Sequence, residues 1–240
     1  MTTTGTTTTI ALVTGATQGL GLETVRRLAG LGWTVWLGAR DLTQGARLAD
    51  ELDGDVRPVQ LDVTDEASVT SAARTVEAGS GRLDVLVNNA GIAGTHAGPR
   101  ETAPDDFLPV FGVNVLGPVR VTHTFLPLLD RSAQPRVVMV SSGLGSLAIT
   151  NDPSRLESTL HVLVYPSSKA ALNMITTQYA RSLPGYQVNV VDPGYTGTAL
   201  NGFTGTQTVQ EGTEAVVAAA TLEPGAPTGT FTDRAGALPW

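Results

Sequence analysis

Tyr165 and Lys169 stand four residues apart in YPSSKAALNMITTQYA, a stretch that Pro166 in its first turn marks as the start of a helix. One helical turn brings the two side chains onto the same face. A phenol with a pKa near 10 is a poor base at neutral pH, and an ammonium held beside it favours the phenolate and brings that value toward the working range. The pair is therefore a candidate acid/base, although Tyr-x3-Lys taken alone also describes a plain solvated helix face. Ser141-Ser142 follow the apolar run RVVMV, Asn114 sits in FGVNVLG, and Asn88-Asn89-Ala90-Gly91 follow LDVLV. Each has an ordinary reading as a loop start, a helical polar residue bonded to backbone, or a turn. Their position unites them: in open α/β sheets ligands bind beyond the carboxyl ends of the strands, and Thr14, Asn88, Ser142 and Pro193 each follow a strand-like run there.

A second constellation points to a bound anion. The run IALVT is followed by Gly15-Ala16-Thr17-Gln18-Gly19-Leu20-Gly21 and then by a helix with Val25, Leu28 and Leu31 on one face. Glycines let the backbone turn tightly and approach a pyrophosphate, whose charge suits the free N–H groups and dipole of a helix N-terminus. About 20 residues on, where an acidic residue would bond the ribose of NAD, the sequence has Gly38-Ala39-Arg40. A carboxylate would repel the 2′-phosphate of NADP, whereas Arg40 can pair with it bidentately, so NADP(H) is preferred over NAD(H). The competing reading pairs Arg40 with the adjacent Asp41 on the surface.

The elements that must position these groups alternate along the whole chain. Strands are read at IALVT, WTVWLGA, VRPVQLDV and residues 83–87, 136–140 and 187–191, with helices over residues 19–30 and from about Thr43. Apolar runs without alternation are strands buried on both faces, so the expected architecture is α/β, a doubly wound parallel sheet with helices on both faces. The turn-rich segment TLEPGAPTGTFTDRAGALPW carries one more edge strand that closes the sheet. With 41% hydrophobic and 15% charged residues, the composition suits one folded domain over residues 10–240. MTTTGTTTT, residues 1–9, has neither basic residues nor an apolar segment and reads as a disordered leader, not a targeting peptide. No apolar run reaches the roughly 18 residues of a membrane span. The net charge of −7, without basic blocks, disfavours nucleic acid and membrane partners. Absence of cysteine excludes thiolate chemistry, and three scattered histidines (His96, His123, His161) lack ligand spacing, so no metal is expected.

Taken in order, TGATQGLG, Asp62-Val63, NNAG, Asn114, Ser142, YPSSK and DPGYTGT (residues 192–198) resemble the motifs of the short-chain dehydrogenase/reductase family over nearly the whole chain after the leader. The resemblance implies a single-domain Rossmann fold with a seven-stranded parallel sheet and a nicotinamide cofactor. It implies that Tyr165 gives the proton to a substrate carbonyl oxygen that Ser142 holds by a hydrogen bond. Lys169 would bind the nicotinamide ribose and depress the Tyr165 pKa, and Asn114 would anchor a water linking Lys169 to solvent. On the cofactor side, Gly15, Thr17, Gln18, Gly19, Leu20 and Gly21 would form the phosphate turn, with Arg40 near the adenosine. Asp62 and Val63 would hold the adenine, Asn89, Ala90 and Gly91 would line the cofactor, and Pro193, Gly194, Thr196 and Thr198 would surround the nicotinamide carboxamide.

The stretch between Ser142 and Tyr165, including NDPSRLESTL, is longer than the family's commonest pattern. It resembles carbonyl reductase-like members and plant reductases of alkaloid and terpenoid ketones, which implies a monomer or homodimer. The expected substrate is a fairly bulky, apolar ketone or aldehyde lined by Leu144, His161, Tyr195 and Phe203, with Phe203 equally readable as core packing. The expected activity is that of a cytoplasmic NADPH-dependent carbonyl reductase forming an alcohol. The alternatives are an alcohol dehydrogenase working oxidatively and an NADP(H)-sensing regulator that keeps the fold without the chemistry.

Overall fold

Apolar runs too short for helices and bounded by turn residues form the strands β1 (Ile10–Val13), β2 (Thr34–Ala39), β3 (Asp55–Gln60), β4 (Val85–Asn88), β5 (Arg136–Val140), β6 (Gln187–Val191), β7 (Phe231–Asp233) and β8 (Gly236–Ala237). The computed structural model describes residues 8–240. The expected leader therefore lies mostly outside the described residues. Its last two, Thr8 and Thr9, accept bonds through their carbonyls from Arg82 Nη2 (2.8 Å) and Thr34 N (3.0 Å).

The strands form one sheet in the order β3-β2-β1-β4-β5-β6-β7-β8. The seven expected strands are parallel, and the two-residue β8 is added antiparallel on β7. Successive strand residues point to opposite faces. Leu12, Leu86, Met139 and Val190 thus join one core with Val69 and Val76 of α3 (Glu66–Ser80), Val121 and Phe125 of α5 (Gly117–Leu129) and Leu172 of α7 (Val164–Ser182). Val13, Val35, Val87 and Val138 join the other with Val25 and Leu28 of α1 (Gly19–Gly30) and Val216 and Ala219 of α8 (Val209–Ala220). Each fully buried Val, Leu or Phe contributes about 1.5–3 kcal/mol, which makes the sheet a rigid platform for the loops at its carboxyl end.

Element ends are set by local polar groups. β3 stops at Gln60, short of the expected Val63, because Asp62 Oδ1 accepts from Thr64 N (2.9 Å) and Oγ1 (2.7 Å) and turns the chain. β4 starts only at Val85, because Asp84 uses its carboxylate to hold Ile10 N at 2.8 Å. α2 (Leu42–Asp50) is N-capped by Asp41, and α8 opens with a Thr208/Glu211 capping box. Between α4 (Phe107–Phe111) and α5 the helix widens to a π turn over Gly112–Leu116. After β5 come the 3-10 turn Gly143–Gly145, α6 (Leu147–Thr150) and a 3-10 turn Leu156–Thr159. This stretch is held by the C-terminal tail: Ser146 Oγ donates to Pro239 O (2.8 Å), Ala148 N to Trp240 O (3.2 Å), and the Trp240 ring lies 5.4 Å from that of Phe231. Among the described residues no helix is long and apolar enough to cross a membrane.

Candidate active site

Strand order reverses between β1 and β4, and a cavity of about 840 Å³ opens there beyond the carboxyl ends of the strands. At one end lies the glycine turn. Gly15 and Gly19 have φ of +61° and +51°, the left-handed region that favours glycine. A Cβ on Gly15 would sit 2.9 Å from Ala90 Cα, and one on Gly21 would collide with Gly15 O. The turn is tied to the NNAG loop by Thr14 Oγ1, which accepts from Asn89 N and Ala90 N (3.0 Å each). Asn89 Nδ2 in turn donates to Thr14 O (2.9 Å) and Gly15 O (3.1 Å). α1 begins with no side-chain cap and no acidic residue in its first turn, so its N–H groups face the cavity free for an anion. The cradle and its donors fit a dinucleotide pyrophosphate.

Along the cavity, Arg40 also lines a hollow of about 360 Å³ with Thr17, Asp41 and Gln44. The surface pairing of Arg40 with Asp41 is not formed: Asp41 Oδ1 accepts from Thr43 N (2.9 Å) and Gln44 N (3.3 Å) instead. Arg40 is exposed and has no ion pair among the described residues. Asp62 and Val63 line the cavity beside it. The Thr64 hydroxyl and N–H, and then the charges of Arg40 and Arg120, hold the Asp62 carboxyl below its ordinary range.

At the other end Tyr165 and Lys169 share the first turns of α7. Lys169 Nζ lies 5.5 Å from the Tyr165 ring centroid and donates to Val140 O at 2.9 Å. The Ser142 side chain neighbours the Tyr165 phenol and favours its ionised form. Burial pulls Lys169 down to about 8 against the opposing charge of Asp192. Burial also pushes the Tyr165 phenol well above its ordinary value, helped by Asp192 and countered by Ser142. The expected depression of Tyr165 by Lys169 is therefore not met: burial is the largest influence on the phenol, and Lys169 is not among the groups that shift it. Ser141, by contrast, is buried and donates to Asn173 Oδ1 at 2.6 Å. Ser142 Oγ caps the turn Gly143–Gly145 by accepting from Leu144 N (3.2 Å).

Asn114 is fully buried in the π turn. Its side chain accepts from Ile92 N (2.9 Å) and donates to Ile92 O (2.9 Å) and Ser168 Oγ (3.0 Å), which ties the loop after β4 to α7. A Cβ on Gly91 would be 3.5 Å from Asn114 Oδ1 and 3.7 Å from Lys169 Nζ, so the three meet at one point.

Most of the expected cofactor residues line the cavity: Gly15, Thr17, Gln18, Gly19, Leu20, Gly21, Arg40, Asp62, Val63, Asn89, Ala90, Gly91, Tyr165, Lys169, Pro193 and Thr198. Gly194 and Thr196 do not, since Thr196 is buried and donates to Pro193 O at 2.9 Å. Of the expected substrate residues only Phe203 lines it, 73% exposed with φ +63°, so it is not core packing. Leu144, His161 and Tyr195 do not. Tyr195 is held by Thr204 (2.6 Å), His161 is exposed, and Leu144 lies in the turn after Ser142. Their place is taken by Ile92, Ala93, Gly94 and His96 from the loop after NNAG, by Pro109 and Val113, and by Leu200 and Val209. NNAG was itself legible and could have directed attention to the loop it opens. Pro109 and Val113 are one helical turn apart and just precede Asn114.

The sequence model of the short chain dehydrogenases matches residues 9–208. The short-chain dehydrogenase anuI of Penicillium roqueforti is 37% identical over 223 residues, 88% of each chain. The (+)-neomenthol dehydrogenase of Arabidopsis thaliana is 33% identical over 282 aligned positions, covering 93% of this chain and 95% of that protein. That alignment is longer than the 240 residues of this chain, so the plant enzyme carries insertions without counterpart here. The crystal structure of an NADPH-bound carbonyl reductase from chicken fatty liver is similar with a TM-score of 0.86 at 27% identity, over 97% of this chain and 99% of that one. With its glycine turn, strand order and Tyr165–Lys169 pair where that match runs, the chain belongs to the short-chain dehydrogenase family, an oxidoreductase with a nicotinamide cofactor site.

Proposed function

We propose that this protein is a cytoplasmic NADPH-dependent carbonyl reductase that converts a bulky, apolar ketone or aldehyde to an alcohol, acting as a monomer or homodimer. The observation that carries the reading is the buried Tyr165 phenol, with Ser142 as a neighbour and Lys169 Nζ 5.5 Å from its ring, lining a cavity that also takes in the uncapped N-terminus of α1. The cofactor, when bound, supplies the hydride. The chain's own groups supply position and proton. Tyr165 donates its proton to the carbonyl oxygen as negative charge develops there, and Ser142 holds the same oxygen by a hydrogen bond. Lys169, with a pKa brought near 8, would hold the nicotinamide ribose and return a proton to Tyr165, and a water anchored by Asn114 would link it to solvent. Arg40, whose neighbour Asp41 is engaged by Thr43 N and Gln44 N, would hold the 2′-phosphate.

Ile92, Pro109, Val113, Leu200 and Phe203 add apolar side chains to the cavity lining, which suits an apolar substrate. An NADPH-bound carbonyl reductase among the similar structures supports the cofactor and the reaction. The test is Tyr165→Phe. NADPH affinity, followed by nicotinamide fluorescence, should stay within about twofold, and ketone turnover should fall by about 10²-fold or more. Equal turnover in the variant overturns the mechanism, and wild-type protein that binds NADPH but consumes it on no ketone is a sensor instead.

A further inference from the structure

Asn173 lies on α7 one helical turn beyond Lys169 and two beyond Tyr165, so the three side chains share a face at spacings of four. It is 4% exposed, although asparagine suits a helix interior poorly, because its carboxamide competes for backbone hydrogen bonds. Here that carboxamide bonds outside the helix. Nδ2 donates to Gly145 O at 3.1 Å, and Oδ1 accepts from Ser141 Oγ at 2.6 Å. A carbonyl oxygen can only accept, so Gly145 fixes which way round the carboxamide sits and makes the Ser141 hydroxyl the donor.

Ser141 and Gly145 flank Ser142. The first ends β5, buried, with its N–H on Val191 O (2.8 Å); the second closes the turn, with its N–H on Ser142 O (2.9 Å). Inside that turn Ser142 Oγ accepts from Leu144 N at 3.2 Å. The loop that carries Ser142 is thus held on both sides by one side chain of the helix that carries Tyr165 and Lys169. A third pin, Lys169 Nζ on Val140 O (2.9 Å), uses the group that would also serve the nicotinamide ribose. The two bonds of Asn173 involve no titratable group, so they hold whatever the protonation state of the site. Close packing supports them: a Cβ on Gly145 would lie 2.9 Å from Lys169 Cβ, so no side chain fits between the turn and the helix.

We propose that Asn173 is a positioning residue for the reaction: by clamping the loop on either side of Ser142, its carboxamide sets the place of the Ser142 hydroxyl against Tyr165. Its effect on turnover rests on the reductase reading above; its hold on the loop does not.

Asn173→Leu removes both bonds at similar volume. With Ser142 present it should lower kcat about tenfold, the cost of a misplaced group, with KM and NADPH affinity within about twofold. In the Ser142→Ala background the same substitution should lower the residual kcat by less than about twofold, because the clamp acts through Ser142. Equal losses in the two backgrounds, or no loss in the first, overturn the proposal and leave Asn173 as packing. If Asn173→Leu does not fold, Ser141→Ala breaks one of the bonds from the loop side: a loss of about threefold that vanishes in Ser142→Ala supports the proposal, and equal losses overturn it. Amide exchange of the full chain without cofactor or substrate reads the clamp independently of turnover. The N–H groups of Leu144 and Gly145 should exchange about tenfold faster in Asn173→Leu, beyond any change at Val138 in the middle of β5, which follows global unfolding. Equal changes at all three overturn the proposal. Faster exchange in the turn, in a protein whose wild type turns over no ketone, would strike at the reductase reading and leave the clamp standing.

Discussion

Asp41 accepts from the N–H groups of Thr43 and Gln44, and the neighbouring Arg40, which lines the cavity, forms no ion pair among the described residues. The two readings of Arg40 open in the sequence, a surface ion pair or a phosphate partner, thus diverge at a helix cap whose geometry no residue type announces. Arg40→Ala should weaken NADPH binding by about 10–100-fold, the loss of a charge-assisted hydrogen bond or two. NADH binding should change by about twofold at most. Parallel fluorescence titrations check this, and equal losses for both cofactors would assign Arg40 to shaping the turn. Tyr165 and Lys169 were legible as a pair because helical spacing alone brings them together. The direction of the Tyr165 pKa was not, because it depends on burial by residues far away in sequence.

Among the elements, the strands and long helices were legible because burial on both faces leaves a continuous apolar run, as in RVVMV. Two features were not. The π turn that holds Asn114 has no residue signature, and the stretch after Ser142, whose Leu144 and His161 the sequence places against the substrate, packs on the tail through Ser146 and Ala148. The turn Gly143–Gly145 is wedged from its other side by α7, since a Cβ on Gly145 would lie 2.7 Å from the carbonyl carbon of Lys169. Gly145→Ala should therefore push the backbone of Lys169 away from Ser142, costing about 1–3 kcal/mol of stability and lowering kcat. Gly30→Ala, at the exposed end of α1 with nothing within 4 Å of the new Cβ, should gain up to about 1 kcal/mol and leave kcat unchanged. Urea unfolding and initial rates on the two variants compare the same substitution in a wedge and in open space.

At the scale of the whole molecule, the site is a burden on the fold. Lys169 titrates near 8 when folded and at its ordinary 10.5 when unfolded. Below pH 8 both states hold the proton and the burial penalty is at its full size. Between about pH 8 and 10 the unfolded chain binds more protons, so the contribution of this group to stability rises with pH. Further up, Tyr165 and Tyr186, both pushed above their ordinary values, keep their protons in the folded state and reverse the slope. Lys169→Met should abolish turnover, raise stability at pH 7 by up to about 3 kcal/mol and flatten the rise between pH 8 and 10. Urea melts at pH 7 and pH 9 check both signs.

The sheet order also bears on how the protein is made. β4 takes the free edge of β1, and from β5 onward each strand pairs with the one before it, so the sheet can extend as the chain leaves the ribosome. The segment behind Ser142 cannot settle on that schedule, because Ser146 and Ala148 take their partners from Pro239 and Trp240. A nascent chain can thus complete its glycine turn early in translation, while the stretch behind Ser142 waits for Pro239 and Trp240 to emerge from the exit tunnel.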